Sequence, residues 1–248
     1  MENIYIFRQG EDANRPTIVF LHDSLGCAEL WRDFPQALGE RAQCNVLVYD
    51  RQGYGRSAPF LTAQRDNNYL EAEADILAEI LTACGLNKAI LFGHSDGGSI
   101  ALIAAAKYPS LVTAVITEGA HIFVEDITLN GIRDAVMTYH NTNLKERLQK
   151  YHGNKTAAVF HMWVDTWLTQ TFRSWNIEHF LPQIQCPVLA IQGERDEFGT
   201  IAQVNGIMRQ TAGKAQSLII PGIGHTPHKD AKETVLAQTA AFISCAAK

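Results

Sequence analysis

Leu91-Phe92-Gly93-His94-Ser95-Asp96-Gly97-Gly98-Ser99-Ile100-Ala101-Leu102 runs an apolar strand directly into a small-residue helix, with Gly93-x-Ser95-x-Gly97 at the junction. That pattern is a nucleophile elbow, a strand-to-helix turn so sharp that its serine is raised above the sheet. Gly93 and Gly97 are required because side chains there would collide where the turn closes. The helix N-terminus beneath Ser95 adds free backbone N–H groups and positive potential, which is useful where an oxyanion forms.

On both sides of the elbow, short apolar runs alternate with helical patterns. The runs are 4–7, 17–22, 45–50, 88–92, 112–117, 188–192 and 216–220. Helices are predicted over 29–41, 70–84, 96–108, 200–211 and 231–246; Gly85 suits the end of the second and Pro109 stops the third. The alternation predicts an α/β fold with a mostly parallel central sheet flanked by helices. Residues 121–182 break it, with helical patterns but no clear strand. They hold Trp163, Trp167 and Trp175, the first two spaced i, i+4 on one helix face. This stretch is read as a helical lid inserted into a core formed by 1–120 and 183–248, covering the strand ends where α/β proteins bind ligands.

Serine is a weak nucleophile at neutral pH and needs a base oriented by a third group. After a serine elbow on such a sheet, an acid and then a histidine are expected along the chain. Asp196 follows a strand in Ala190-Ile191-Gln192-Gly193-Glu194-Arg195-Asp196, and His225 follows the last strand in Ile220-Pro221-Gly222-Ile223-Gly224-His225. Glu194, Glu197 and His228 compete with them; strand-end position and glycine context favour Asp196 and His225. The oxyanion hole takes one N–H from Asp96 and a second from Ser24, in the loop Val19-Phe20-Leu21-His22-Asp23-Ser24-Leu25-Gly26. His22 is assigned no proton transfer and is expected to orient that loop. Gly53-Tyr54-Gly55-Arg56-Ser57-Ala58 matches G-x-G-x-x-A, but Pro59 follows and no helix opens, so no nicotinamide site is read there. No tight histidine spacing suggests a metal, and no cofactor is expected.

Composition narrows the class. Of 248 residues, 46% are hydrophobic and 19% charged, which excludes intrinsic disorder. The net charge of −5 comes without a basic run, so no nucleic-acid footprint is visible. No stretch of eighteen apolar residues exists to span a membrane. The first residues read as strand with no signal pattern, and the five scattered cysteines fit a reduced compartment, so a cytoplasmic protein is expected.

The order of strands, Ser95 elbow, helical insertion, Asp196 and His225 resembles the α/β-hydrolase fold over essentially the whole chain. Asp50-Arg51-x-Gly53-Tyr54-Gly55-Arg56-Ser57 also matches a turn common in that superfamily. Gly93-x-Ser95-Asp96-Gly97-Gly98, Ala101-Leu102-Ile103-Ala104-Ala105-Ala106-Lys107-Tyr108-Pro109 and Gly131-Ile132-Arg133-Asp134 look like the biphenyl hydrolase-like proteins, the valacyclovir hydrolase family. That resemblance implies a serine hydrolase of α-amino-acid esters, with Asp96 meeting the substrate's α-ammonium group. The chain departs from the superfamily in having Asp23 where glycine usually follows the oxyanion-loop histidine. It also lacks the proline often found after the acid, reading Glu197-Phe198-Gly199-Thr200. The expected partner is a small ester cleaved through an acyl-enzyme. Amide, thioester, lactone or carbon–carbon bonds are alternatives on the same machinery, and a non-catalytic ligand-binding protein is the alternative of another class.

Overall fold

A computed structural model describes residues 4–246. Seven strands form one sheet: β1 (Ile6–Gln9), β2 (Thr17–Leu21), β3 (Asn45–Tyr49), β4 (Ala89–His94), β5 (Val112–Glu118), β6 (Val188–Gly193) and β7 (Ala215–Ile220). Their spatial order is β1-β3-β2-β4-β5-β6-β7, with β1 antiparallel at one edge and every other pairing parallel. In register, Leu91 of β4 lies between Val19 of β2 and Val115 of β5.

β2, β4 and β6 are buried along their whole length. Near-continuous apolar runs are what parallel strands covered on both faces require. The strand period of two divides the core. Ile18, Phe20, Ile90 and Phe92 pack toward α1 (Phe34–Ala42) and α9 (Lys232–Ala246). Val19, Leu21 and Leu91 face the other way, toward α2 (Tyr69–Ala83) and α3 (Asp96–Lys107).

After β2 the chain moves to one side of the sheet, and from β4 onward it builds the other side. The switch point therefore lies between the carboxyl ends of β2 and β4, where open α/β sheets form their ligand crevice. Between β5 and β6 the chain carries α4 (Asp126–Asn141), α5 (Leu144–His152) and α6 (Thr156–Trp167), followed by 3-10 turns at Phe172–Ser174 and Glu178–Gln183. A single antiparallel bridge, Phe123 to Asn176, is the strand-like contact within it. The chain then re-enters the core through β6, α7 (Ile201–Gln210), β7 and the short α8 (Pro227–Asp230). Among the described residues, no helix is long and apolar enough to cross a membrane.

Two elements differ from the sequence expectation. The helix predicted over 29–41 is a 3-10 turn, Ala28–Trp31, then α1. Arg32 breaks it at φ 54°, and Pro35, which lacks an N–H, opens the second piece. The first strand is 6–9 rather than 4–7, because its antiparallel register on β3, Ile6 opposite Tyr49 through Gln9 opposite Val46, sets where pairing occurs.

Candidate active site

Ser95 sits between β4 and α3 at φ 53°, ψ −119°, a left-handed conformation that non-glycine residues adopt only under local constraint. The constraint is close packing. A Cβ at Gly93 would strike the backbone of Gly97, and one at Gly97 would strike the Leu21 carbonyl of β2. The Ser95 N–H donates to the Glu118 carbonyl at 2.8 Å, pinning the turn to β5. As the first residue of α3, Asp96 has an N–H that the helix itself cannot satisfy.

Asp196 and His225, from the loops after β6 and β7, come together, and His225 lines the same cavity as Ser95. Nδ1 of His225 lies 2.8 Å from Asp196 Oδ1 and 3.0 Å from Oδ2. Burial works against the Asp196 charge, but His225 and the Phe198 N–H, donating at 2.9 Å, hold its carboxyl below the usual carboxylate range. With Nδ1–H given to Asp196, the neutral ring keeps Nε2 as a proton acceptor. Gly119 makes room for the pair. Its φ is +57°, and a Cβ there would lie 2.8 Å from His225 Cε1 and 3.3 Å from Asp196 Oδ2.

Ser95, His225, Asp96 and Ser24 line one cavity of about 200 Å³ at the sheet's switch point. Its apolar wall comes from Leu25, Phe198 and the segment between β5 and β6, through Ile132, Ala135, Trp163 and Trp167. The competing residues have other tasks. Glu194 accepts the Gly222 N–H at 2.9 Å, and Glu197 accepts the His225 backbone N–H at 3.2 Å. His228 pairs with Glu118, its Nδ1 at 2.8 Å from Oε2, with its ring against Trp31 and Phe34. Both nitrogens of His22 are engaged, Nε2 accepting the Arg51 N–H at 3.1 Å and Nδ1–H donating to the Asp23 carbonyl at 2.8 Å. Burial and the neighbouring Arg51 push its pKa well down. After the glycine turn at 53–58, no helix opens before Tyr69.

The chain matches the family described as "alpha/beta hydrolase fold" over residues 16–177, which span β2 through β5, the elbow and most of the segment between β5 and β6. The chain belongs to this family of hydrolases. It is 35% identical to the human (Homo sapiens) serine hydrolase BPHL over 161 residues, 61% of this chain and 53% of that protein. Against the mouse (Mus musculus) serine hydrolase BPHL the identity is 30% over 206 residues, 79% of this chain and 68% of that protein. The chain thus spans about half the length of the human relative. Among solved structures, MGS-M2, an α/β-hydrolase enzyme from a Medee basin deep-sea metagenome library, superposes with a TM-score of 0.80 at 22% identity, covering 97% of this chain and 94% of that one. The resemblance to biphenyl hydrolase-like proteins read from the sequence holds in these matches.

The family departure at position 23 needs no glycine. Among the described residues, positive φ outside glycine occurs at Arg32, Gln43 and Ser95, and not at Asp23. The Asp23 carboxylate instead faces His94, with Oδ1 3.7 Å from Nδ1, while His94 Nε2–H donates to the His225 carbonyl at 2.9 Å. Burial opposes the His94 charge, yet Asp23 outweighs it and the pKa is raised. Sequence reasoning also missed a buried network behind Asp96. Tyr69 Oη donates to Asp96 Oδ2 at 3.0 Å, Trp167 Nε1–H donates to Tyr69 Oη at 2.8 Å, and Arg51 Nη2 is 3.7 Å from the same Oδ2. The available signal for Arg51 was its place in the Asp50–Ser57 turn motif; nothing local marked Tyr69.

Proposed function

We propose that this chain is a serine hydrolase that cleaves a small carboxylic ester through an acyl-enzyme. The observation that carries the reading is the Asp196–His225 pair, at 2.8 Å, opening onto the same cavity as a serine in a left-handed elbow. Ser95 attacks the ester carbonyl while His225 Nε2 takes its proton and returns it to the leaving alcohol. Water then repeats the sequence on the acyl-enzyme. Asp196 holds the imidazole in the required tautomer and stabilises the imidazolium. The N–H groups of Ser24 and Asp96 receive the oxyanion.

The cavity favours a small acyl group, since about 200 Å³ lies below the roughly 300–1,000 Å³ of drug-sized sites. Residues 121–182 act as the lid, supplying the apolar wall that excludes water. For an α-amino-acid ester, Asp96 is the residue to meet the ammonium group. Tyr69 and Arg51 both engage Oδ2, and Oδ1 has no protein donor among the described residues. The unpaired cysteines fit a reducing compartment, and we place the protein in the cytoplasm.

The test is fluorophosphonate labelling of Ser95 together with a screen of short-chain, aromatic and aminoacyl esters. Ser95→Ala is expected to lose labelling and to lower kcat on the order of 10⁴-fold or more with an unchanged melting temperature. Retention of most activity by the purified variant overturns the reading.

A further inference from the structure

A peptide N–H points opposite to the carbonyl of its own planar trans unit. For the Ser24 N–H, that carbonyl belongs to Asp23. It accepts from three donors: His22 Nδ1–H at 2.8 Å, Arg51 Nη2–H at 3.0 Å and the Gly26 N–H at 3.2 Å. No cis peptide occurs among the described residues, so anchoring the carbonyl on one side turns the N–H to the other. Ser24 itself lines the cavity, and its N–H has no protein acceptor among the described residues.

The Gly26 contact is local to the turn, and His22 is adjacent in sequence. Arg51 alone comes from another part of the chain, beyond β3. Its side chain is fully buried, under the Tyr54 ring at 4.7 Å. The same Nη2 lies 3.4 Å from the His22 carbonyl and 3.7 Å from Asp96 Oδ2. One guanidinium therefore joins the loop that carries one oxyanion donor to the residue that carries the other. Stability alone is a weak reason for it, because a buried ion pair contributes little over apolar residues of similar volume. All three contacts are made by Nη2, while Nε and Nη1 are buried with no hydrogen-bond partner among the described residues, so the planar guanidinium serves to fix where that one nitrogen points.

We propose that Arg51 is a positioning residue which, with His22, holds the Asp23 carbonyl away from the cavity and so aims the Ser24 N–H at the oxyanion. The role rests on the reading of Ser95 as nucleophile and Ser24 as donor. It also accounts for the tolerance of an aspartate in the glycine position, since residue 23 acts here through its carbonyl.

The experiment compares wild type, Arg51→Met, Arg51→Lys and His22→Leu. Circular dichroism and melting establish folding. The readouts are kcat and KM on a short-chain p-nitrophenyl ester, and the inhibition constant of a trifluoromethyl ketone, whose adduct with serine carries the oxyanion. Loss of one oxyanion donor lowers kcat by about 10²–10³-fold, and Arg51→Met is expected to approach that loss with KM changed less than about threefold. Ketone affinity should fall in step, and Arg51→Lys should recover part of both. His22→Leu, which leaves the buried charges paired, should show the same split even where Arg51→Met fails to fold. Folded variants with wild-type kcat and ketone affinity, or a loss confined to KM, overturn the proposal. If wild type turns over no ester and Ser95 resists fluorophosphonate, the reading of the site falls and the role of Arg51 with it. An active, labelled wild type with indifferent variants removes Arg51 alone.

Discussion

Two histidine–carboxylate pairs lie near the Ser95 elbow, and by distance they are the same: Nδ1 to oxygen is 2.8 Å in both Asp196–His225 and Glu118–His228. Their surroundings differ. His225 keeps 11% of its side chain exposed and lines the cavity, whereas His228 is at 4%, with Trp31 at 4.7 Å and Phe34 at 5.6 Å from its ring. Glu118 is wholly buried and also accepts the His228 backbone N–H, so its pair closes upon itself. Burial disfavours the Glu118 charge, yet His228 holds its carboxyl below the usual range, while burial pushes His228 down. An oriented histidine can do acid–base chemistry only where its second nitrogen meets a reactant. Perturbed acidity alone does not separate a catalytic pair from a structural one.

The sharpest break of this contrast is His225→Ala, expected to lower kcat on the order of 10⁴-fold or more with a small change in melting temperature. A variant that keeps most of its activity would reverse the roles of the two pairs. Asp196→Asn comes next. It should fold normally but favour the wrong imidazole tautomer, costing about 10⁴-fold in kcat by steady-state kinetics. His228→Ala should behave in the opposite manner, because it leaves the Glu118 carboxylate buried without its partner. A stability loss of about 3–5 kcal/mol in denaturant unfolding is expected, with kcat of the folded fraction within about tenfold of wild type.

Asp96 stands between the two cases, a carboxylate engaged from behind through one oxygen and bordering the cavity. Asp96→Ala keeps the backbone N–H. It should lower kcat/KM for an aminoacyl ester about ten- to two-hundredfold, and that for its des-amino counterpart little. Equal losses on both substrates would assign Asp96 to structure, with Glu118. The smallest effect is a slope. His22, His121, His152 and His228 all have lowered pKa values through burial, so below about pH 6.5 the unfolded chain binds protons that the folded chain refuses. Stability should therefore fall as pH falls from 7 toward 5. His94, raised by Asp23, acts in the other direction, losing its contribution as pH rises through its folded pKa. Replacing His228 should reduce the slope by up to about 1.4 kcal/mol per pH unit, read from urea unfolding at several pH values.

What could be read in the sequence was local or periodic. The elbow announces itself because glycine, serine and glycine must sit within five residues. Asp196 and His225 stood out because apolar runs mark where strands end. The helix expected over 29–41 is interrupted at Arg32, although Trp31, Phe34 and Leu38 on either side of the break all face the same core cluster. Glu118 and His228 are 110 positions apart, and no local pattern joins them. Arg51 looked like part of a turn because its acceptors lie on a loop 28 positions earlier. Such contacts depend on which strands become neighbours, and that is set by tertiary pairing.

The left-handed backbone at position 95 also bears on how this residue persists through selection. A strained non-glycine residue costs of order 1–3 kcal/mol, and a glycine at φ 53° would relieve it. The extra freedom of glycine in the unfolded chain takes back roughly 0.5–1 kcal/mol. Ser95→Gly is thus expected to fold at least as well as the parent while lacking the hydroxyl we propose as the nucleophile. A search for thermostable variants made without an activity screen would drift toward that form, because folding alone does nothing to keep the serine.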